Sequence, residues 1–306
     1  MNLYSIIVIY NGMRRDWIQK CFSSIEASSV PVKIIAIDNA STDDSVHYIK
    51  ANFPNVLLIE SKENLGFGGA NNLGLKKALD LGGEYFFLLN QDARVEKDTL
   101  EKLVTQAQNN PEYGIISPLH LNGKGDALDY NFSNYISPSQ CKNLYSDFVL
   151  NKVENKIYES GFICAAAWLL TKTSLKTVGG FSPTFFHYAE DDNYIHRLKF
   201  KKLKIGVYPH TFIFHDREER ANTKFHSAEE QIKREWALRI SNPLQETNIH
   251  QYKKQLKNKL LKNRIFRNTS EVKRIKKELF LLENLENLSV ENYKKSISSA
   301  EFIFLT

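Results

Sequence analysis

The stretch Tyr85-Phe86-Phe87-Leu88-Leu89-Asn90-Gln91-Asp92 is the best point of entry into this chain. Five apolar residues in succession read as a strand buried on both faces, the habit of a parallel sheet. The strand runs without a spacer into two amides and a carboxylate. Ligands of open α/β sheets sit outside the carboxyl ends of the strands. Hard oxygen donors at such a place suit Mg²⁺ or Mn²⁺ carrying a phosphate. Taken alone, the plainer reading is a polar turn after a strand, so the flanking sequence has to be weighed with it.

Upstream, strand and helix patterns alternate. Residues 3–10 read as a strand, and residues 14–27 carry Trp17, Ile18, Cys21, Phe22 and Ile25 at helical spacing. Residues 32–37 form a second strand closed by Asp38 and Asn39, after which Ser41 or Thr42 can cap a helix to about Ala51. A third strand over 56–59 and a helix over 68–81 lead into the segment at 85–92. Downstream, 96–108 is helical and 114–118 is a fifth strand. Repeated β-α-β units of this length predict an α/β fold with a mostly parallel central sheet flanked by helices on both faces.

Beyond residue 120 the pattern changes. Residues 120–160 are rich in Asn, Ser, Asp and Tyr and predict short antiparallel strands and loops. A buried element over 162–170 precedes a short helix over 173–178 that stops at Gly179-Gly180. Residues 190–201 read as a helix, and 205–208 and 211–214 as two strands. From about Ala228 the pattern is wholly helical, which puts a boundary near residue 220.

The chain of 306 residues has room for one large domain, or for a domain with an appendage. Apolar residues make up 42% and charged residues 25%, which excludes wholesale disorder. Cys21, Cys141 and Cys164 lie far apart without C-x-x-C spacing. That argues against a zinc ribbon or a disulfide scaffold and fits a reducing, cytoplasmic compartment. Residues 1–10 lack a basic leader and a small-residue cleavage site, so they read as a first strand and not a signal peptide. No apolar run approaches the roughly 20 residues of a membrane span.

Four polar clusters follow strand ends in the alternating half: Tyr10-Asn11-Gly12, Asp38 to Thr42, Asn64 to Asn72, and Asn90-Gln91-Asp92. Consecutive parallel strands share one carboxyl edge, so the four should converge on one crevice. Gly66-Phe67-Gly68 resembles a dinucleotide fingerprint only superficially, because position 71 is Asn and the segment follows the third strand. It reads better as a glycine turn that lets backbone approach a ligand. Further on, Glu190-Asp191-Asp192 opens a helix behind the aromatics Phe185, Phe186 and Tyr188. Carboxylates are favoured at a helix N-terminus in any case. An acid facing inward behind those rings would have a raised pKa and suit general-base work. His215 ends the last strand, where a histidine is more often structural than a ligand.

Together these parts resemble the family 2 inverting glycosyltransferases with the GT-A nucleotide-diphospho-sugar transferase fold. The resemblance covers about residues 1–216 and rests on an ordered set. Its members are the YN after strand one, Asp38-Asn39-x-Ser41-Thr42, NLGFGGANN, LLNQDA, the G-F-x-x-A-A-x-x-L-L segment, GGFSPTFFHYAEDD, and a strand ending in His215. NLGFGGANN followed by LLNQDA is most similar to bacterial rhamnosyltransferase-like members. The resemblance implies a catalytic domain over 1–220, with a nucleotide-binding half over about 1–118 and an acceptor half over about 119–220. It assigns Asp38 to the N3–H of uracil or thymine, and Tyr10 and Asn11 to the nucleoside. Asn64, Gly66, Asn71, Asn90 and Gln91 join them around the nucleotide sugar. Asp92 matches the metal-binding carboxylate of the D-x-D motif, whose first Asp is Asn90 here. His215 matches a histidine that completes metal or diphosphate binding, and Asp191 matches the catalytic base.

The activity so implied is transfer of a sugar with inversion from a nucleotide-sugar donor, dTDP-rhamnose or a UDP-hexose. The acceptor would be a saccharide or lipid-linked saccharide in bacterial surface polysaccharide synthesis, and the cofactor Mn²⁺ or Mg²⁺. A sugar-phosphate nucleotidyltransferase shares a similar sheet but would carry a basic glycine-rich loop after strand one, where this chain has Tyr10-Asn11-Gly12-Met13. A catalytically silent nucleotide- or membrane-binding scaffold is the non-enzyme alternative, and Asp191 and Asp92 argue against it.

The basic residues crowd into the helical C-terminal extension over 221–306. Residues 250–280 hold eleven Lys and Arg against the two acids Glu271 and Glu278. A basic amphipathic helix can lie on an anionic membrane surface, which predicts a protein peripheral on the inner face of the cell membrane. A solvated appendage packed by its apolar stripe is the alternative. Charge alone would admit nucleic acid, but no recognition motif accompanies it, so no nucleic-acid partner is expected.

Overall fold

Strand β1 (Leu3–Ile9) turns Leu3, Ile7 and Ile9 to one side and Tyr4 and Ile6 to the other, and all five are buried. The two-residue period of a strand thus feeds two cores, one on each face of the sheet. The computed structural model describes residues 1–217, 227–245 and 249–305. A 3₁₀ turn (Arg14–Asp16) leads from β1 to α1 (Trp17–Glu26), followed by β2 (Lys33–Asp38), α2 (Ser45–Asn52) and β3 (Leu57–Glu60). Next come α3 (Gly66–Asp80), β4 (Tyr85–Leu89), β5 (Ala93–Val95), α4 (Thr99–Asn109) and β6 (Tyr113–Asn122). The short helices α5 (Tyr130–Tyr135) and α6 (Leu144–Val149) precede β7 (Tyr158–Glu159), β8 (Ala167–Thr171) and α7 (Lys172–Val178). The last α/β elements are α8 (Glu190–Phe200) and β9 (Lys204–His215), and the helices α9 (Ala228–Ser241), α10 (Ile249–Ile265) and α11 (Thr269–Ile297) follow.

One sheet runs in the order β3, β2, β1, β4, β8, β6, β9, β5, with β7 on β9. β1 to β4 form the expected parallel block. Helices α1 and α4 cover one face through Ile18, Phe22, Leu100 and Leu103, and α3 covers the other through Ala70, Leu75 and Ala78. The approach of α3 needs glycine at position 74, where a Cβ would fall 2.5 Å from Ile6 and 2.6 Å from Ile37.

Several expectations are corrected. The fifth strand does not extend the parallel block directly, because antiparallel β8 lies between β4 and β6. The two strands expected at 205–208 and 211–214 are one strand, β9. Pro209 breaks the pattern, yet the register slips from Pro118↔Tyr208 to Leu119↔Phe212, and the extra residues are taken up as a bulge. Three-residue β5, pairing with β9, was not anticipated. Within 120–160 two short helices replace part of the expected strands, because Asp129 caps α5 by accepting from the N–H groups of Asn131 and Phe132. Arg15 and Asp16 adopt φ of 49° and 57°, so the first helix begins only at Trp17. Ser41 and Thr42 cap no helix and instead hold Asn11.

In the C-terminal region Trp236 and Ile240 of α9 pack with Leu256, Ile275, Leu282 and Leu285 into a separate small core. The boundary expected near residue 220 lies outside the described residues. The chain then returns to the α/β body. Asn292 donates to Thr184 Oγ1 at 2.9 Å, Gly180 N donates to Ile303 O at 2.8 Å, and Leu305 is buried in the main core. Among the described residues, no helix is long and apolar enough to cross a membrane.

Candidate active site

The polar strand ends meet as expected and bond one another. Gln91 exchanges two hydrogen bonds with the Tyr10 backbone, each 3.0 Å, which joins the ends of β1 and β4. Asn11, at φ 49°, donates its N–H to Ser41 Oγ and accepts from Thr42 N, joining β1 to β2. Asn39 accepts from Leu65 N at 2.7 Å and donates to Asn64 Oδ1 at 3.1 Å, joining β2 to the glycine segment. Asp38 is buried at 4% exposure, and its carboxylate accepts from Ser41 N at 3.3 Å. Tyr10 stays 47% exposed beside it, a ring available for stacking.

Not every residue assigned around the nucleotide sugar points into the crevice. Asn71 is buried and donates to Phe67 O in its own helix. Asn64 accepts from Gly66 N and fixes the turn. Gly66 has φ +72°, and a Cβ there would overlap Phe186 O, so this glycine lets the loop before α8 lie against the glycine segment. Phe67 N donates to the same carbonyl.

At the other side of the crevice Asp92 immediately precedes β5, which pairs Ala93 with His215. His215 Nε2 lies 3.4 Å from Asp92 Oδ1 and 3.3 Å from Asn90 Nδ2. Its Nδ1 lies 3.2 Å from Asp129 Oδ2, and both carboxylates are buried. Burial alone would lower the His215 pKa, but Asp92 and Asp129 outweigh it and hold it above the ordinary value. Asp129 is pulled down to about 2: burial works against ionisation, and His215, the α5 backbone and Arg217 overcome it. Asp129 is the partner that sequence reasoning missed. Its only trace was a helix-capping position in an otherwise unpatterned segment.

Among the described residues, no three His, Cys, Asp or Glu side chains are grouped to hold a metal ion by themselves. Asp92 and His215 nevertheless make a donor set of one carboxylate and one imidazole, with the Asn90 amide beside them. That fits Mn²⁺ or Mg²⁺ completed by substrate phosphate oxygens. Asp129, 3.2 Å from the far ring nitrogen, stands where a carboxylate would orient the histidine if it held a metal.

Asp191 closes the third side. Its carboxylate accepts from Asp192 N at 3.0 Å, the nearby Ala165 backbone favours its charged form, and the next carbonyl, Ala166 O, accepts from Asn90 N at 3.0 Å. The same short segment therefore holds Asn90 and lies beside the acid. Tyr188 and Ala189 take φ of 66° and 73° to turn the chain into α8. Burial, and then the neighbouring Asp192 charge, push the Asp191 pKa up to about 7. Glu190 is also raised by burial and by Asp191. Beside this helix start lies a cavity of about 510 Å³ between Phe186, His187 and Tyr188 and the α9 side chains Lys233 and Arg234.

The Glycosyl transferase family 2 model matches residues 5–179, more than half of the chain. The chain belongs to glycosyl transferase family 2. Within this family it is 24% identical over 213 residues to the low-salt glycan biosynthesis hexosyltransferase Agl10 of Haloferax volcanii, covering 65% of this chain and 63% of that protein. It is 22% identical over 184 residues to the N-acetylglucosaminyl-diphospho-decaprenol L-rhamnosyltransferase of Mycobacterium tuberculosis, covering 54% and 60%. The chain thus spans about three fifths of the length of these relatives. Among solved structures it is similar to GalNAc-T7 with UDP, GalNAc and Mn²⁺, at a TM-score of 0.57 and 14% identity over 76% of this chain and 48% of that one. It is also similar to S. aureus TarS 1–349 in complex with UDP, at a TM-score of 0.52 and 13% identity over 97% and 90%. The fold of this family 2 chain is GT-A, with a helical C-terminal region.

Proposed function

We propose that this family 2 chain is an inverting glycosyltransferase. It moves a hexosyl or rhamnosyl group from a UDP- or dTDP-linked donor to a hydroxyl of a saccharide or lipid-linked acceptor, on the cytoplasmic side of surface polysaccharide synthesis. The observation that carries this reading is the meeting of three groups at one sheet edge. They are Asp38 at the end of β2, the Asn90–Asp92 and His215 pair, and Asp191 with its raised pKa.

In this reading Asp38 accepts from the N3–H of the base, and Tyr10 stacks on it. A divalent cation held by Asp92 and His215 would neutralise charge on the departing diphosphate. Asp191 takes the proton of the acceptor hydroxyl as that oxygen attacks the anomeric carbon from the face opposite the diphosphate. The new C–O bond forms as the bond to the diphosphate breaks, and the electron pair leaves with the diphosphate. One attack on one face inverts the centre. The names of the relatives and the bound UDP of the two solved neighbours support a nucleotide-sugar donor. The cavity beside α8, with exposed Phe186 and cationic Lys233 and Arg234, suits an acceptor that carries sugar and phosphate. We propose residues 1–220 as the catalytic domain and 221–306 as its helical extension.

Calorimetric titration with UDP, dTDP and GDP, each with and without Mn²⁺, tests this reading. Binding of UDP or dTDP that tightens with Mn²⁺ is expected. A folded protein that binds none of the three is not a nucleotide-sugar enzyme.

A further inference from the structure

The hairpin of α10 and α11 carries a feature that sugar transfer does not use. Its inward residues Leu256, Leu260, Ile275, Leu279 and Leu282 pack against Trp236 and Ile240. Beyond Leu260 and Ile275 that core stops, but the hairpin continues to its turn at residues 266–268. There Leu261, Ile265 and Phe266 stand exposed by 58%, 78% and 70%. Leu261 and Ile265 are one helical turn apart, so they share a face, and Phe266 extends it. Large apolar side chains gathered at a free end are not the scattered exposures of an ordinary surface.

Cations surround this apolar end. Lys257, Lys262, Arg264, Arg267, Lys273 and Lys276 lie on its two arms, and among the described residues none of them has a carboxylate within salt-bridge reach. Arg274 and Lys277, by contrast, are engaged with Glu271, Glu278 and Glu229. A cavity of about 490 Å³ opens at the turn, lined by Arg264, Arg267, Lys273 and Lys276 around Val272.

We propose that the α10–α11 turn is a membrane-docking tip. Ile265 and Phe266 enter the acyl boundary of a bilayer, and Arg264, Arg267, Lys273 and Lys276 hold the phosphates of anionic phospholipid headgroups. The chemistry is complementary on both counts: among the described residues, the apolar side chains stand exposed and the cations have no anion within salt-bridge reach. Long Lys and Arg stems can lie along the apolar end while their charges reach the headgroups. The inference goes beyond the transferase reading and does not depend on it.

The test is flotation of the full chain with vesicles of phosphatidylcholine alone, and of phosphatidylcholine with one quarter phosphatidylglycerol, at low and high salt. Binding to the anionic vesicles that salt weakens is expected. Arg264→Gln with Lys273→Gln and Lys276→Gln should lower affinity by on the order of 100-fold. Ile265→Ser with Phe266→Ser should lower binding while leaving the melting temperature unchanged. A Phe266→Trp variant supplies a local reporter whose emission should shift to the blue on anionic vesicles. Vesicle binding that survives both sets of substitutions overturns the proposal. So does an indole emission that does not move, or a tip that prefers RNA to vesicles at equal charge.

Discussion

In the proposed mechanism Asp191 lies where two demands conflict. A base must be ionised to accept a proton, and its surroundings resist ionisation, raising its pKa to about 7. Transfer should therefore fall off below about pH 7 as the carboxyl protonates, and a pH–rate profile reads this directly. Asp191→Asn should cost about 10²–10⁴-fold in turnover with nucleotide affinity intact. The same residue makes a stability prediction. A carboxyl raised on folding carries no penalty below its unfolded value near 4, and the penalty grows as pH rises to the folded value. Asp191→Asn should thus melt higher than wild type at pH 8 and coincide with it near pH 4. Equal melting curves at both pH values would show that folding does not perturb this group. On the proposed metal side, Asp129→Asn keeps an oxygen for the α5 cap but removes the negative charge 3.2 Å from His215 Nδ1. Mn²⁺ affinity measured by electron paramagnetic resonance should drop about 10–100-fold. The positions of Asp38, Asp92 and His215 by strand ends, and of Asp191 at the opening of a helix, were legible because a patterned element says where it stops or starts. Asp129 was not, since a capping acid in a loop looks the same whether or not its second oxygen faces a histidine.

Elements were legible in proportion to their burial. β1, β2 and β4 are apolar runs with polar stops, and they lie where the pattern puts them. β9 was read as two strands because Pro209 interrupts it, and only its partner β6 reveals that pairing resumes after the bulge. β5 has three residues, too few for any period, and exists because β9 offers it an edge. Helix α3 shows how a single position sets the distance between layers. Gly74→Ala would press a methyl into Ile6 and Ile37. Overpacking of this kind costs about 1–3 kcal/mol, so the variant should unfold at lower denaturant with an unchanged slope. An unchanged midpoint would mean that α3 can lift without loss. Helix α8 is held from behind by Arg197, fully buried, which donates to Val178 O and Gly180 O at 2.6 Å each. That bracket keeps the start of α8, and Asp191 with it, against the turn that follows α7.

At the scale of the molecule, the helical region is tied to the sheet by its last residues as well as by α9. Ile303 and Leu305 are buried, and Ile303 O accepts from Gly180 N, next to the carbonyl that Arg197 holds. Removal of residues 300–306 should lower the melting temperature and loosen the α7–α8 turn, visible as faster amide exchange at Gly180. Exchange that stays slow would show that the turn stands without this support. The helical pattern of this region was plain in the sequence, but its return to the main core was not, because nothing local marks Leu305 as a core residue. The strand order has a consequence in time as well. β3, β2, β1 and β4 are all present once residue 89 has been made, so the proposed pocket for the base can form from nearby contacts. Asp92 meets His215 only through the pairing of β5 with β9, more than 100 residues apart in the chain. Contacts closed over long loops form late. On the proposed function, a nascent chain should therefore acquire its grip on the base well before its grip on the diphosphate, and premature termination before β9 would leave a protein that recognises a nucleoside but has no place to put its charge.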